Sequence, residues 1–149
     1  QEAARVLEGL GATLVEVELP HPMDAWPIVV ALICAELAEA VREHVAGRHD
    51  DLGEWIRSVI RLGELLPARE YLRAQRLRAA FRAEVARAMR TVDVILSPTV
   101  GFPAWPLGCS TVEVDGRTIP YIPSVGAFTP PWNLTGMPAV TLPAGFSAA

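Results

Sequence analysis

Two stretches of the chain carry most of the information about its fold: Val92-Asp-Val-Ile-Leu-Ser-Pro-Thr99 and Phe128-Thr-Pro-Pro-Trp-Asn-Leu-Thr-Gly-Met-Pro-Ala-Val-Thr-Leu-Pro-Ala-Gly145. Thr91 to Ser97 forms a short apolar segment interrupted by Asp93, and Ala139 to Leu142 is apolar on both faces. Apolar residues on both faces are typical of central strands that are covered on both sides. The two stretches therefore predict covered strands whose ends continue into loops.

The region around these stretches is predicted to consist of strands and loops. Nine of the 13 prolines lie in residues 98–143, a density that excludes long helices there. Between the two predicted strands, Thr111 to Val114 and Arg117 to Ile122 flank Asp115-Gly116. This dipeptide favours the two-residue turn of a β-hairpin.

The first part of the chain is predicted to be helical, with one strand. A short helix is expected over Glu2 to Leu10, where Gly9 and Gly11 follow the apolar face. From Thr13 to Leu19, apolar and acidic side chains alternate, as in a strand with one solvated face, and Pro20 ends it. A helix followed by a strand indicates an α/β arrangement.

Three more helices are predicted after this strand, two of them long and the middle one short. Asp24 is the expected N-cap of the first, Gly47 its stop, and Pro67 suits the first turn of the third. The predicted helices and their buried faces are 24–46 with Ile33, Leu37 and Val41, 55–63 with Trp55, Ile56, Val59 and Ile60, and 68–90 with Leu77, Phe81, Val85 and Met89.

Composition excludes several classes of protein. With 149 residues, 51% of them hydrophobic, 20% charged and a mean hydropathy of +0.28, the chain is expected to fold as one domain. The longest apolar run, Trp26 to Ala35, has ten residues, whereas a membrane span needs about 20. Cys34 and Cys109 are too few for a disulfide scaffold or a zinc site. We therefore expect a soluble cytoplasmic protein with no metal, no cofactor and no membrane partner.

All 13 basic residues are arginine, and the sequence contains no lysine. The predicted helix over residues 68–90 carries seven of them, for which a solvated face is the preferred interpretation and RNA contact the alternative. The net charge of −4 favours the solvated face and argues against a nucleic-acid partner. The seven are Arg69, Arg73, Arg76, Arg78, Arg82, Arg87 and Arg90.

The two stretches quoted first resemble the amidase signature family. Further motifs occur in the family's order and extend the resemblance over nearly the whole chain. These motifs are Leu10 to Pro20, Glu36, Arg57 to Gly63, and Tyr71-Leu-x-Ala-x-x-x-Arg78.

The resemblance implies an α/β fold in which residues 1–149 are the C-terminal portion of a single amidase domain, a mixed β-sheet covered by α-helices. It implies hydrolysis of a carbon–nitrogen bond in a small-molecule amide by a Ser-cisSer-Lys triad. That triad belongs to an upstream segment, and a serine hydroxyl without its base is a poor nucleophile. We therefore expect no catalytic residue in this chain and no activity from the chain alone.

The resemblance leaves this chain the role of a substrate-pocket wall, because loops at strand ends gather where ligands bind in α/β sheets. For each candidate the alternative is a turn or packing role: Thr99 and Asn133 could bond nearby backbone, and Trp105 and Phe128 could fill the core. The candidates are Thr99, Trp105, Phe128, Thr129 and Asn133.

Two alternatives stay open at this point. One is a non-catalytic binding or scaffold domain, which the missing lysine motivates. The other is the glutamine-using component of a tRNA-dependent amidotransferase, which usually has an aspartate for the glutamine amine three residues before the threonine of the Phe-Thr motif. Gly126 stands at that position here, which favours a less polar amide. The sequence also leaves a homo-oligomer open.

Overall fold

The computed structural model describes residues 2–20, 22–114, 116–122, 126 and 128–146. Within these ranges the chain is mainly helical, with one small sheet. The elements are α1 (Glu2–Gly9), α2 (Pro22–Val41), a 3-10 turn (His49–Asp51), α3 (Glu54–Leu65), α4 (Ala68–Ala88), β1 (Thr111–Val114), β2 (Arg117–Pro120) and α5 (Pro130–Thr135).

The core is built around α2, which packs against α3, α4 and α5, while α4 also packs against α5. Ala25, Ile28, Val29 and Leu32 follow one another at the three- and four-residue spacing of a helical face, and all four are buried. Burying each large aliphatic side chain contributes about 1.5–3 kcal/mol. The remaining members of this core cluster are Ala74, Phe81, Val85 and Leu134.

The predicted buried faces are only partly correct. Ile33 is predicted to be buried but is 49% exposed. Because α2 is apolar all round, a four-residue repeat of apolar residues does not show which face of the helix meets its neighbours. On α4, Phe81 and Val85 are buried as predicted, whereas Leu77 is 46% exposed. On α3, Ile60 is buried, whereas Trp55 is 57% exposed. In each case the tertiary neighbours, and not the periodicity, decide which apolar residue is covered.

The predicted limits of α2 also need correction. The helix begins at Pro22, so that Asp24 lies in its first turn and is not the N-cap. A carboxylate there still faces the positive end of the helix dipole. The helix ends at Val41 and not near Ala46, because the chain goes into turns in which His44 N donates to Val41 O over 2.9 Å.

The predicted hairpin is confirmed. β1 and β2 pair antiparallel, with Val112 opposite Ile119 and Val114 opposite Arg117, which leaves a two-residue turn. Gly116 has φ +72°, a value that residues with a side chain rarely adopt. Asp115 lies outside the described residues, and the second strand ends at Pro120, two residues before the predicted limit.

The three other predicted strands, at residues 13–19, 91–97 and 139–142, are not paired within the described part of the chain. A strand exists only through hydrogen bonds to a neighbouring strand, and no described segment supplies them. The expectation of covered central strands is also wrong for this chain, since Val94 is 78% and Val140 81% exposed.

The contact between α2 and α3 depends on Gly63. A Cβ at this position would overlap the Cys34 carbonyl and lie 2.8 Å from Ala38 Cβ, and neither atom is on a flexible side chain. We expect Gly63→Ala to lower the free energy of unfolding in urea by about 1–3 kcal/mol, despite the better helix propensity of alanine. Gly53→Ala is the control, because Gly53 has φ −59° and no neighbour within 4 Å. An equal loss in both variants would contradict the close approach.

Candidate substrate-binding site

The site is organised by α5, a helix of six residues. Pro130 and Pro131 occupy its first turn, where a missing N–H costs nothing, and Gly136 ends it with φ +66°. Thr129 is the N-cap, and its carbonyl accepts the backbone N–H groups of Trp132 and Asn133, each at 3.2 Å. The local sequence therefore permits a short helix, although only strands and loops are predicted for this proline-rich region.

The C-terminal end of α5 is fixed by buried polar contacts. Arg78 of α4 is half-buried, and its Nε donates to the Leu134 carbonyl over 3.0 Å. Thr135 is fully buried, and its hydroxyl donates to Trp132 O over 2.8 Å and accepts from Met137 N over 3.3 Å. Removing one partner of such a buried contact costs about 1–3 kcal/mol, so these bonds hold α5 in one position.

Two further contacts join separate parts of the chain. Trp132 Nε1 donates to Ser97 Oγ over 3.1 Å, which ties α5 to the Ser97-Pro-Thr stretch. Tyr71 OH donates to Glu36 Oε1 over 3.1 Å and accepts from Gln75 Nε2 at 2.9 Å, which joins α4 to α2. Residues from four motifs that are distant in sequence are thus connected through α5 and the helices that pack against it.

The five predicted site residues occupy three neighbouring segments. Thr99 is exposed and follows Ser97 by two residues, while Thr129 and Asn133 lie at the start and on the exposed side of α5. Phe128 is half-buried and contacts Gly101, where a Cβ would lie 2.9 Å from its Cε2. Thr99, Phe128, Thr129 and Asn133 are thereby placed in the region around α5.

Trp105 belongs to a row of three aromatic residues, Phe102, Trp105 and Tyr121, which begins directly after Gly101. Its ring stacks on Tyr121 with centroids 4.9 Å apart and meets the ring of Phe102 edge-on at 5.7 Å. Trp105 is 38% exposed, so one part of its surface still faces solvent. Its neighbour Phe102 directly follows Gly101, which Phe128 contacts.

Gly126 stands next to Trp26 of α2. A Cβ at position 126 would overlap the six-membered ring of Trp26, with Cζ3 only 2.6 Å and Cδ2 2.7 Å away. Gly126 is buried and Trp26 half-buried. This arrangement leaves no space for any side chain at position 126.

The ionisable groups of the chain do not form a reactive centre within the described residues. Burial raises the pKa of the Cys34 thiol, as expected for a small core residue, whereas Cys109 is exposed. Among the residues that the structure describes, no three His, Cys, Asp or Glu side chains come together as a metal site. A surface depression of about 250 Å³ lies on α3, lined by Glu54, Arg57, Ser58 and Arg61, and contains none of the predicted residues.

The model of the family described as Amidase matches residues 1–149. The chain belongs to the amidase family. This confirms the resemblance carried by the two stretches around Ser97 and Asn133.

The relatives of this chain are longer than the chain itself. An amidase of Pseudomonas putida is 31% identical over 150 residues, 95% of this chain and 30% of that protein. The A subunit of the glutamyl-tRNA(Gln) amidotransferase of Myxococcus xanthus is 32% identical over 173 residues, 100% of this chain and 35% of that protein. The crystal structure of an amidase matches with a TM-score of 0.79 at 27% identity, over 91% of this chain and 32% of that one. The chain spans about a third of the length of these relatives. The match to the amidase structure confirms the predicted α/β fold class.

None of the described helices of this chain combines the length and apolar character that crossing a membrane requires.

Sequence reasoning misses three residues of the candidate site in this chain. Arg78 looks like one arginine of a solvated face, although its place at the end of the Tyr71 motif is a signal for a fixed role. Trp26 looks like part of an apolar run. Ser97 belongs to a recognised motif, but nothing in that motif indicates that its hydroxyl contacts Trp132. No local pattern shows that Trp26 meets Gly126, because these residues are a hundred positions apart.

Proposed function

We propose that this protein hydrolyses the carbon–nitrogen bond of a small, uncharged amide. In this proposal the chain supplies part of the hydrophobic core of the protein and one wall of the substrate pocket. Membership of the amidase family supports the reaction class. The observation that carries the proposal is the set of contacts around α5: Ser97 with Trp132, and Arg78 with Leu134. These bonds give the loops of Thr99 and Thr129 the fixed geometry that positioning a substrate requires.

The reactive groups in this proposal belong to another segment of a larger amidase domain, of which residues 1–149 form the C-terminal portion. No lysine is present here to accept a proton through a bridging serine. The serine oxygen attacks the amide carbon, the nitrogen takes up a proton and leaves as ammonia, and water then releases the acid from the acyl-enzyme. The exposed segments around Val94 and Val140 support this division, because pairing with strands of that other segment would cover them.

The proposed substrate carries no charged amine near position 126. Gly126 provides no carboxylate, and the Trp26 ring fills the adjacent space. The missing carboxylate favours a stand-alone amidase over a component of an amidotransferase.

Three other properties belong to the same proposal. The protein works in the cytoplasm, needs no cofactor, and does not bind nucleic acid through α4. The net charge of −4 and the two free cysteines are the observations that support this.

The test is ammonia release by the complete protein and by the 149-residue chain alone. We expect the complete protein, with its lysine, to release ammonia from neutral amides such as propionamide and benzamide but not from L-glutamine. The chain alone should release none. A complete protein without activity on a broad amide panel would contradict the reaction. Preferential use of glutamine would instead support the amidotransferase alternative.

The behaviour of the chain in solution distinguishes the scaffold alternative from the proposed portion of a larger amidase domain. A self-contained binding domain should unfold cooperatively and elute as one discrete species from size-exclusion chromatography. A portion of a larger domain, with Val94, Val140 and Leu142 uncovered, should aggregate or exchange strands.

A further inference from the structure

The aromatic row formed by Phe102, Trp105 and Tyr121 is the feature from which we draw a further inference. Tyr121 occupies one face of the Trp105 indole at a centroid distance of 4.9 Å, and Phe102 meets its edge at 5.7 Å. With two neighbours in contact, Trp105 is still 38% exposed. The indole is therefore held by two other rings, while part of its surface is exposed within the described chain.

The loop that carries Trp105 is fixed at its base. Cys109 N donates to Pro106 O over 3.3 Å, and Tyr121 N donates to Ser110 O over 3.1 Å, which ties the loop to the end of β2. Pro103 and Pro106 flank Trp105 and restrict the backbone on both sides. A ring that is already ordered loses little conformational freedom when a ligand binds.

The chain segments that carry the row contain few charged residues. No Asp, Glu, Lys or Arg occurs between Asp93 and Glu113, and none follows Arg117. Phe128 lies against Gly101, next to Phe102, so that apolar rings continue from the row towards α5. A neutral planar ring fits such a surface, whereas a charged group would lose its water without gaining a partner.

We propose that Trp105 is a specificity-determining residue that stacks on the aryl group of an aromatic amide. This inference rests on the proposed amidase function and names its substrate class. An aryl ring on the free part of the indole would gain an offset-stacked or edge-to-face contact that an alkyl amide cannot make. Phe102 and Tyr121 act as positioning residues, because they hold the indole and do not themselves need to touch the substrate.

The experiment compares benzamide with propionamide as substrates of the complete protein. Trp105→Ala should lower kcat/KM for benzamide relative to propionamide by about three- to tenfold, the range that one aromatic contact supplies. Trp105→Leu, which keeps apolar volume but has no ring, should do the same if the alanine variant folds poorly. Trp105→Phe should restore most of the preference. Trp55→Ala is the matched control, since Trp55 is 57% exposed on α3.

Benzamide binding, measured by ligand-observed NMR, separates this inference from the proposed reaction. If the protein hydrolyses both amides and the Trp105 variants lose them equally, the aryl contact is wrong and the amidase function stands. If there is no hydrolysis but Trp105→Leu weakens benzamide binding and Trp55→Ala does not, the aryl site stands and the reaction is wrong. If neither hydrolysis nor benzamide binding is found, both are wrong.

Discussion

Phe81→Ala is expected to lower the free energy of unfolding by about 3–5 kcal/mol, the usual cost of removing a buried phenyl ring and leaving a cavity. Phe81 is 5% exposed and lies on α4, in the same cluster as Val85 and Leu134. The loss includes transfer of the ring to water and the contacts that its neighbours no longer make. Denaturant unfolding followed by circular dichroism measures it directly.

Leu77→Ala is the control for this prediction, because Leu77 lies one turn earlier on the same helix and belongs to the same apolar repeat. Its side chain is 46% exposed, and alanine is a better helix former, so we expect a change of about 1 kcal/mol or less. The periodicity of the sequence treats the two residues as equivalent. Equal destabilisation by both substitutions would show that the packing of α4 differs from the arrangement described.

Gly126→Asp is expected to be at least as harmful as Phe81→Ala. The new side chain would overlap the Trp26 ring, which costs about 1–3 kcal/mol for overpacking, and the carboxylate would be placed at a buried position at a cost of several kcal/mol more. We expect a large drop in melting temperature and loss of amide hydrolysis by the complete protein, because residue 126 lies three positions before Thr129.

Two variants make this result specific. Gly53→Asp introduces the same residue at the exposed N-cap of α3, where nothing lies within 4 Å, and should leave stability unchanged or slightly higher. Trp26→Ala combined with Gly126→Asp removes the obstructing ring and should recover part of the lost stability. No recovery in the double variant would mean that Trp26 is not what excludes a side chain at position 126.

The candidate site is only partly predictable from the sequence. Thr99, Thr129 and Asn133 belong to motifs that the sequence displays, and their placement around α5 follows from contacts between those motifs. Whether they touch a substrate stays a prediction. Arg78 is misjudged by sequence reasoning because its helix is rich in arginine, and a helical repeat cannot distinguish a guanidinium in solvent from one that bonds a distant carbonyl.

Neighbours along the chain are enough to predict several elements of the structure. Helical periodicity locates α2, α3 and α4, the Asp115-Gly116 dipeptide locates the hairpin, and the ordered motifs indicate the amidase family. The elements are predictable because backbone preferences and turn geometry act over a few residues.

Which apolar residues are covered, and which strands are paired, depends instead on packing between distant segments. Ile33 and Leu77 repeat as regularly as buried residues do, yet they are exposed, and Val94 lies in a strand-like sequence without a partner strand among the described residues. The contact of Trp26 with Gly126 joins residues a hundred positions apart in the same way. Local preferences hold no information about such partners, so the packing of the whole molecule sets both the core and the shape of the proposed pocket wall.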